Sequence, residues 1–297
     1  MDSFEVKDTF FYSKGLKCAA WLYLPSSVKK PPLVVMAHGI AAERSFRLPA
    51  FAERFAQNGM AVFLFDYRNF GDSQGEPRNL VDPFRHIQDW FAALDHVRKL
   101  GNVNGKRIAL WGTSFSGGHV LEVAGKDQKI SAIVTQVPFV DGLSTSFNFP
   151  LSYLGKGVIN GALDLGKSLL SNEPHTIKVV DSPHSFALLN TEECYEGYLN
   201  LVPEESSWEN KCPARIMWKM PLYRPVRNAP KIKCPVLLIY AEEDTLIPVS
   251  DVRKAARRIK DVREVPFPGG HFDLYYGDKF EKNIQLQTEF LINELLD

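Results

Sequence analysis

Three residues of this 297-residue chain have the types and the order to make one nucleophile: Ser114, Asp244 and His271. A serine hydroxyl attacks a carbonyl only when a base takes its proton, and an imidazole does this best when a carboxylate orients it. Ser114 lies in Gly112-Thr113-Ser114-Phe115-Ser116-Gly117, after the apolar run 107–111 and before the helix-like stretch 118–124. A strand, a sharp turn of small residues and then a helix is the setting of a nucleophile elbow. The turn demands small residues two before and two after the nucleophile. Gly112 and Ser116 satisfy it, the second with serine where glycine is usual. The helix that follows aims its first N–H groups at the same spot.

In the topology that carries such an elbow, the partners follow in the order serine, acid, histidine. Asp244 stands in the loop after the apolar run 236–240, and His271 in the Gly269-Gly270-His271 loop after the run 263–267. Glu242 and Glu243 are rival acids. Asp244 is preferred because it is the fourth residue after Tyr240, just before the apolar Leu246-Ile247-Pro248. A tetrahedral intermediate also needs N–H donors for its oxyanion. The backbone of Phe115, next after the nucleophile, supplies one. The turn Ala37-His38-Gly39-Ile40-Ala41 supplies the other from Ile40, with Ala41 as the alternative, because Gly39 permits the necessary backbone excursion.

The remaining candidates read as structural. His38 precedes the donors and lies outside the serine–acid–histidine order, so it is expected to brace its loop. His86, His96 and His119 fall on helix-like stretches, and His175 and His184, with Asp181 between them, form no metal-ligand pattern. Residues 161–168, Gly-Ala-Leu-Asp-Leu-Gly-Lys-Ser, match the phosphate-loop pattern. Such a loop works only between a strand and a helix, and this match falls inside a helical repeat, so nucleotide binding is not expected. No strand–Gly-x-Gly-x-x-Gly–helix unit is present for a dinucleotide, and no cofactor or metal is expected.

These residues must be held by a scaffold. Two strand-like runs at 4–12 and 16–24 are joined by Ser13-Lys14-Gly15. Short apolar runs at 33–37, 61–65, 107–111, 130–137 and 235–240 alternate with helix-like stretches at 50–58 and 82–100, each of the two closed by a glycine. That alternation predicts a mostly parallel sheet covered on both faces. It breaks between residues 141 and 230, a span too long for a plain connection. There Leu151, Leu154, Val158, Ala162, Leu165 and Leu169 recur at helical spacing, and Asn190 with Glu193 suggests the start of a second helix. The expectation is a mainly helical cap at 141–230, inserted into a core made of 1–140 and 231–297. Its aromatics, among them Phe147, Phe149, Tyr153, Tyr198, Trp208 and Trp218, are expected both to fix the cap and in part to line a cavity beneath it.

Lys plus Arg equals Asp plus Glu, 35 each, so no global field draws nucleic acid to the chain. No stretch approaches the ~20 apolar residues of a membrane helix. The N-terminal residues lack the apolar core of a signal peptide, and four scattered cysteines form neither a zinc motif nor a disulfide framework. A cytoplasmic location is the expectation, and an oligomer is compatible with the sequence.

The segments Met36-Ala37-His38-Gly39, Phe65-Asp66-Tyr67-Arg68-Asn69-Phe70-Gly71-Asp72-Ser73-Gln74-Gly75 and 108–119, with Gln136-Val137-Pro138-Phe139 and Gly269-Gly270-His271-Phe272-Asp273, carry a resemblance. Over essentially its full length the chain resembles an α/β-hydrolase, within the dienelactone-hydrolase-like group that includes bacterial hydrolases of unassigned substrate and fungal polyketide transferases and thiohydrolases. The resemblance implies acyl chemistry through an acyl-enzyme, and it implies that Asp66 and Arg68 belong to a structural turn. The expected activity is that of a serine hydrolase cleaving a carboxylic ester or thioester with a hydrophobic portion. The alternatives on the same residues are acyl transfer and carbon–carbon bond hydrolysis. From another class comes a binding protein on a hydrolase scaffold.

Overall fold

The computed structural model describes residues 3–171, 173–183 and 185–296. β1 (Phe4–Ser13) and β2 (Leu16–Pro25) form an antiparallel hairpin. Lys14 and Gly15 turn it at φ 49° and 82°, the left-handed geometry that two-residue hairpins demand. Then β3 (Pro32–Ala37), α1 (Leu48–Ala56), β4 (Ala61–Phe65), α2 (Pro83–Val97), β5 (Asn104–Thr113), α3 (Phe115–Ala124) and β6 (Ala132–Gln136) alternate. Asp82 starts α2 by accepting the N–H groups of Phe84 and Arg85, with Pro83 at the first helical position. After a long intervening segment, β10 (Val236–Ala241), α8 (Val249–Ala256), β11 (Val262–Phe267) and α9 (Gly277–Leu295) complete the pattern.

The strands form one eight-stranded sheet in the order β1-β2-β4-β3-β5-β6-β10-β11, parallel from β4 to β11. Every residue of β3, β4, β6 and β10 is buried, which is why these strands read as unbroken apolar runs. Helices α2 and α3 pack together on one face and α1 and α9 on the other. The chain passes from β3 to β4 on one side of it and then to β5 on its other side. In an open α/β sheet, such a reversal leaves a crevice at the carboxyl ends of the two strands. The Gly39 turn and Ser114 stand there. The sequence's α/β architecture, the α/β-hydrolase fold, is therefore the observed one.

The segment between β6 and β10 holds α4 (Gly142–Ser146), α5 (Leu151–Leu170), β7 (Thr176–Val180), β8 (Ala187–Leu189), α6 (Cys194–Leu199), β9 (Cys212–Pro213) and α7 (Ile216–Lys219). It is mainly helical, with a small sheet β8-β7-β9 that no pattern in the sequence predicts. Strands of two to five residues are too short to display a period. Helix α5 exists as the spacing predicts, but its apolar stripe does not face inward. Leu151, Val158 and Leu169 are exposed, and Gly157, Gly161 and Asp164 are the buried residues. Helix α6 begins at Cys194 after Glu193, and no side chain caps it. Asn190 instead donates to the Ser185 carbonyl.

Candidate active site

Ser114 stands between β5 and α3 at φ 55°, ψ −119°, a conformation L residues rarely adopt. Close packing holds it. A Cβ on Gly112 would fall 2.3 Å from the Ser116 carbonyl oxygen, one on Gly117 2.9 Å from Pro138 Cα, and one on Gly118 2.1 Å from the Phe139 carbonyl oxygen. The Ser114 N–H donates to the Gln136 carbonyl at 2.9 Å, tying the turn to β6. Ser116, which looks in the sequence like a blemish in the elbow, is fully buried, and its hydroxyl lies 2.9 Å from the Tyr67 hydroxyl. Tyr67 in turn accepts from Trp90 Nε1 at 3.0 Å. Serine at this position has a hydrogen-bond partner that glycine would lack.

His271 Nε2 lies 3.1 Å from Ser114 Oγ, and its Nδ1 lies 2.7 Å from Asp244 Oδ2. The His271 and Asp244 side chains are each 3% exposed. With Nδ1–H donating to the carboxylate, Nε2 is left as the acceptor facing the serine hydroxyl. The other Asp244 oxygen accepts the N–H groups of Leu246 and Ile247, each at 2.9 Å, so the carboxylate is fixed at both ends. Glu242 and Glu243, the rival acids, are exposed. The three residues expected to act together are therefore the three that meet.

A residue not picked out in the sequence for this site binds both loops. The Glu193 carboxylate accepts the His271 N–H at 2.7 Å through one oxygen. Through the other it accepts the Thr245 N–H at 2.7 Å and the Thr245 hydroxyl at 2.6 Å. Gly270 makes room for it, since a Cβ there would fall 2.1 Å from Glu193 Oε2. The only sequence signal was the glycine pair before His271. Glu193 itself resembled a helix-capping residue.

Gly39 packs against the nucleophile, where its missing Cβ would lie 3.3 Å from Ser114 Cβ. His38 Nδ1 donates to the Gly39 carbonyl at 3.0 Å. A trans peptide points its C=O and N–H in opposite directions, so this bond turns the Ile40 N–H away from His38. Burial holds the His38 imidazole down to about 3, so it is neutral and braces the loop. From the other side, Tyr198 donates to the Ile40 carbonyl at 2.9 Å and Trp208 to the Ala41 carbonyl at 2.8 Å. Phe115 is the first residue of α3, and the first N–H groups of a helix have no partner within it.

Among the described residues, the remaining histidines have their hydrogen-bond and ring partners elsewhere than Ser114. His86 on α2 and His119 on α3 are buried between these helices, 3.2 Å apart, with His119 Nδ1 2.5 Å from the Tyr223 hydroxyl. Burial holds both well below the ordinary histidine value. His96 packs beside Phe11 and Phe63, and His175 bonds Asn160 at 2.7 Å. His184 lies outside the described residues. The phosphate-loop match at 161–168 is continuous helix within α5. Asp66 accepts the Arg44 N–H at 2.7 Å and pairs with its guanidinium, while Arg68 pairs with Asp89, so both serve a structural turn. Among the described residues, no group of three or more metal-ligating side chains is found, and no helix is long and apolar enough to cross a membrane.

A cavity of about 540 Å³ runs from Ser114 under the inserted segment. Phe139, Phe147, Phe149, Leu154 and Met217 line it, with Ile40 and Phe115 at its inner end. Of the aromatics singled out in the sequence, Phe147, Phe149 and Tyr153 line this cavity, and Tyr198 lines a second space of about 40 Å³ that also reaches Ser114. Trp208 and Trp218 instead donate to the backbone carbonyls of Ala41 and Val158.

Comparison with known proteins agrees with this fold. The family described as serine aminopeptidase, S33, matches residues 29–274. The quorum-quenching protein AidA of Acinetobacter baumannii is 37% identical over 285 residues, spanning 96% of this chain and 93% of that protein. Thiohydrolase aneE of Aspergillus aculeatus is 26% identical, spanning 95% of this chain and 91% of that one. In fold, the chain is similar to the solved structure of the α/β hydrolase GrgF from Penicillium sp. sh18, with a TM-score of 0.86 at 24% identity, covering 99% of this chain and all of that one.

Proposed function

The chain belongs to the serine aminopeptidase S33 family of α/β hydrolases, and on that premise we propose that it is a serine hydrolase that cleaves a carboxylic ester or thioester with a hydrophobic portion. Ser114 Oγ attacks the carbonyl carbon while His271 Nε2 takes its proton. Asp244 steadies the imidazolium, and the N–H groups of Ile40 and Phe115 receive the oxyanion. Collapse of the tetrahedral intermediate breaks the bond to the alcohol or thiol, which leaves with the proton from His271. Water, deprotonated by the same imidazole, then attacks the acyl-enzyme and frees the acid and Ser114. The observation that carries this reading is the pair of separations, 3.1 Å from Nε2 to Oγ and 2.7 Å from Nδ1 to the carboxylate.

The cavity lining favours an ester or thioester over a peptide with a free amino terminus. Among the described residues that line it, the only ionisable carboxylate is Asp244, which is committed to His271. No acidic group is left to receive an α-ammonium, whereas the apolar walls suit an acyl or alkyl chain. Residues 141–230 act in this reading as the cap that sets chain length. The test is turnover of a panel of p-nitrophenyl esters and acyl thioesters. Wild type is expected to hydrolyse them, while Ser114→Ala and His271→Ala lose activity and keep the fold. Wild-type turnover by folded Ser114→Ala overturns the reading.

A further inference from the structure

Helix α5 shows an inverted amphipathicity. Leu151, Val158, Ile159, Leu163, Leu169 and Leu170 are 85, 58, 60, 53, 87 and 90% exposed. At 3.6 residues per turn these side chains, with Leu165, sweep an outward arc of about 160°. The opposite side is fastened down. A Cβ on Gly161 would fall 2.4 Å from Trp218 Nε1, and one on Gly157 2.9 Å from Met217 Cε. Asp164, fully buried, accepts the Arg215 N–H at 2.9 Å, its guanidinium at 2.6 and 2.9 Å, and the His175 N–H at 3.0 Å. Rolling the leucines inward would break this ion pair and leave a buried charge alone, which is costly. The outward apolar face is therefore built in.

We propose that this face of α5 docks onto a phospholipid surface and sets the mouth of the cavity against it. Three observations choose lipid as the occupant. The helix's only acidic residue is the buried Asp164, and its two lysines, Lys156 and Lys167, lie about 20° apart on one rim of the arc. An apolar face with lysines at its edge is the pattern of a helix lying in a membrane interface. Lys167 has Glu173 at 3.8 Å, so the attraction to anionic lipid is modest and the apolar side chains carry the binding. A second copy fits less well, because antiparallel pairing about the helix midpoint sets the Lys156 of each copy against the Lys167 of the other. Finally, the face is continuous with the cavity. Phe147 and Val158 line it and are 79 and 58% exposed, so it opens beside α5.

Docking stands on this geometry alone, whereas delivery of an acyl substrate from the lipid rests on the ester or thioester reading above. The test is co-sedimentation of the full chain with vesicles of equal parts phosphatidylcholine and phosphatidylglycerol. Wild type and a remote control, Tyr12→Glu on β1, are expected to bind. Leu169→Glu with Leu170→Glu is expected to lower the partition by roughly tenfold or more, since each leucine forfeits its burial in the interface. Neither leucine lines the cavity, so turnover of a water-soluble ester stays unchanged in that variant. Equal partition of wild type and the double variant, no partition at all, or a stable dimer without lipid that the double substitution dissolves would each overturn the proposal. Vesicle binding by a chain inactive on every ester would leave docking standing and sink the catalytic reading instead.

Discussion

Removing Glu193 is expected to cripple turnover without changing substrate binding. Its carboxylate accepts three hydrogen bonds, of 2.7, 2.7 and 2.6 Å, from the two loops that carry His271 and Asp244. It does not line the cavity. Hydrogen bonds to a charged group contribute roughly 1.5–3 kcal/mol each when buried, but Thr245 is exposed, so the expected loss of stability in Glu193→Ala is about 2–4 kcal/mol. The larger effect is on geometry. With the clamp gone, the His271 loop is free to shift, and a misplacement of about 1 Å costs on the order of 10²-fold in rate. Glu193→Gln keeps the shape but offers one acceptor oxygen, and its NH2 then opposes the N–H of either His271 or Thr245, so it should fall between wild type and alanine. The assay is kcat and KM for a soluble p-nitrophenyl ester, beside thermal unfolding. A Glu193→Ala enzyme with wild-type kcat, or one changed only in KM, would refute the reasoning.

Other expectations follow from buried groups. His38, His86 and His119 are held below their unfolded value of about 6.5, so in acid the unfolded chain binds three protons that the folded chain refuses. Glu43, raised to about 7 by burial and by Asp66 and Asp72, takes up one proton first in the folded chain and offsets one of them. The three buried imidazoles outweigh Glu43, so stability is expected to fall as the pH drops from about 7 towards 5; urea unfolding at pH 7, 6 and 5 checks this, and a flat profile contradicts it. Ser116→Ala strips Tyr67 of one partner and should cost about 1–3 kcal/mol in thermal unfolding, whereas a neutral effect would deny Ser116 its hydrogen-bonding role.

The elbow and the acid are legible because each follows a buried apolar run, the second half of β5 and the whole of β10, and such runs stand out between turn residues. The base follows the half-exposed edge strand β11 and is legible from the glycine pair before it. The Gly39 turn is legible because it follows the buried strand β3 and glycine there permits the backbone excursion of an oxyanion loop; its packing against Ser114 is visible only in the fold. Helix α5 shows where that logic ends. Periodicity reports that leucines share a face, but the direction of that face was decided by Asp164 and Arg215, 51 residues apart in the chain. Glu193 looks in the sequence like a local capping residue for the same reason: its partners, His271 and Thr245, are 78 and 52 residues away. Ser116 deviated from a glycine pattern because Tyr67, on another loop, gives its hydroxyl a partner. Long-range polar contacts leave no period in a sequence.

The central claim is that Ser114 carries the acyl group. Intact-mass measurement after exposure to a fluorophosphonate, with peptide mapping, tests it most directly. The account predicts one adduct per chain, on the peptide holding Ser114, absent in Ser114→Ala and strongly slowed in His271→Ala. Labelling at another residue, or an unlabelled wild type that still hydrolyses esters, would contradict it.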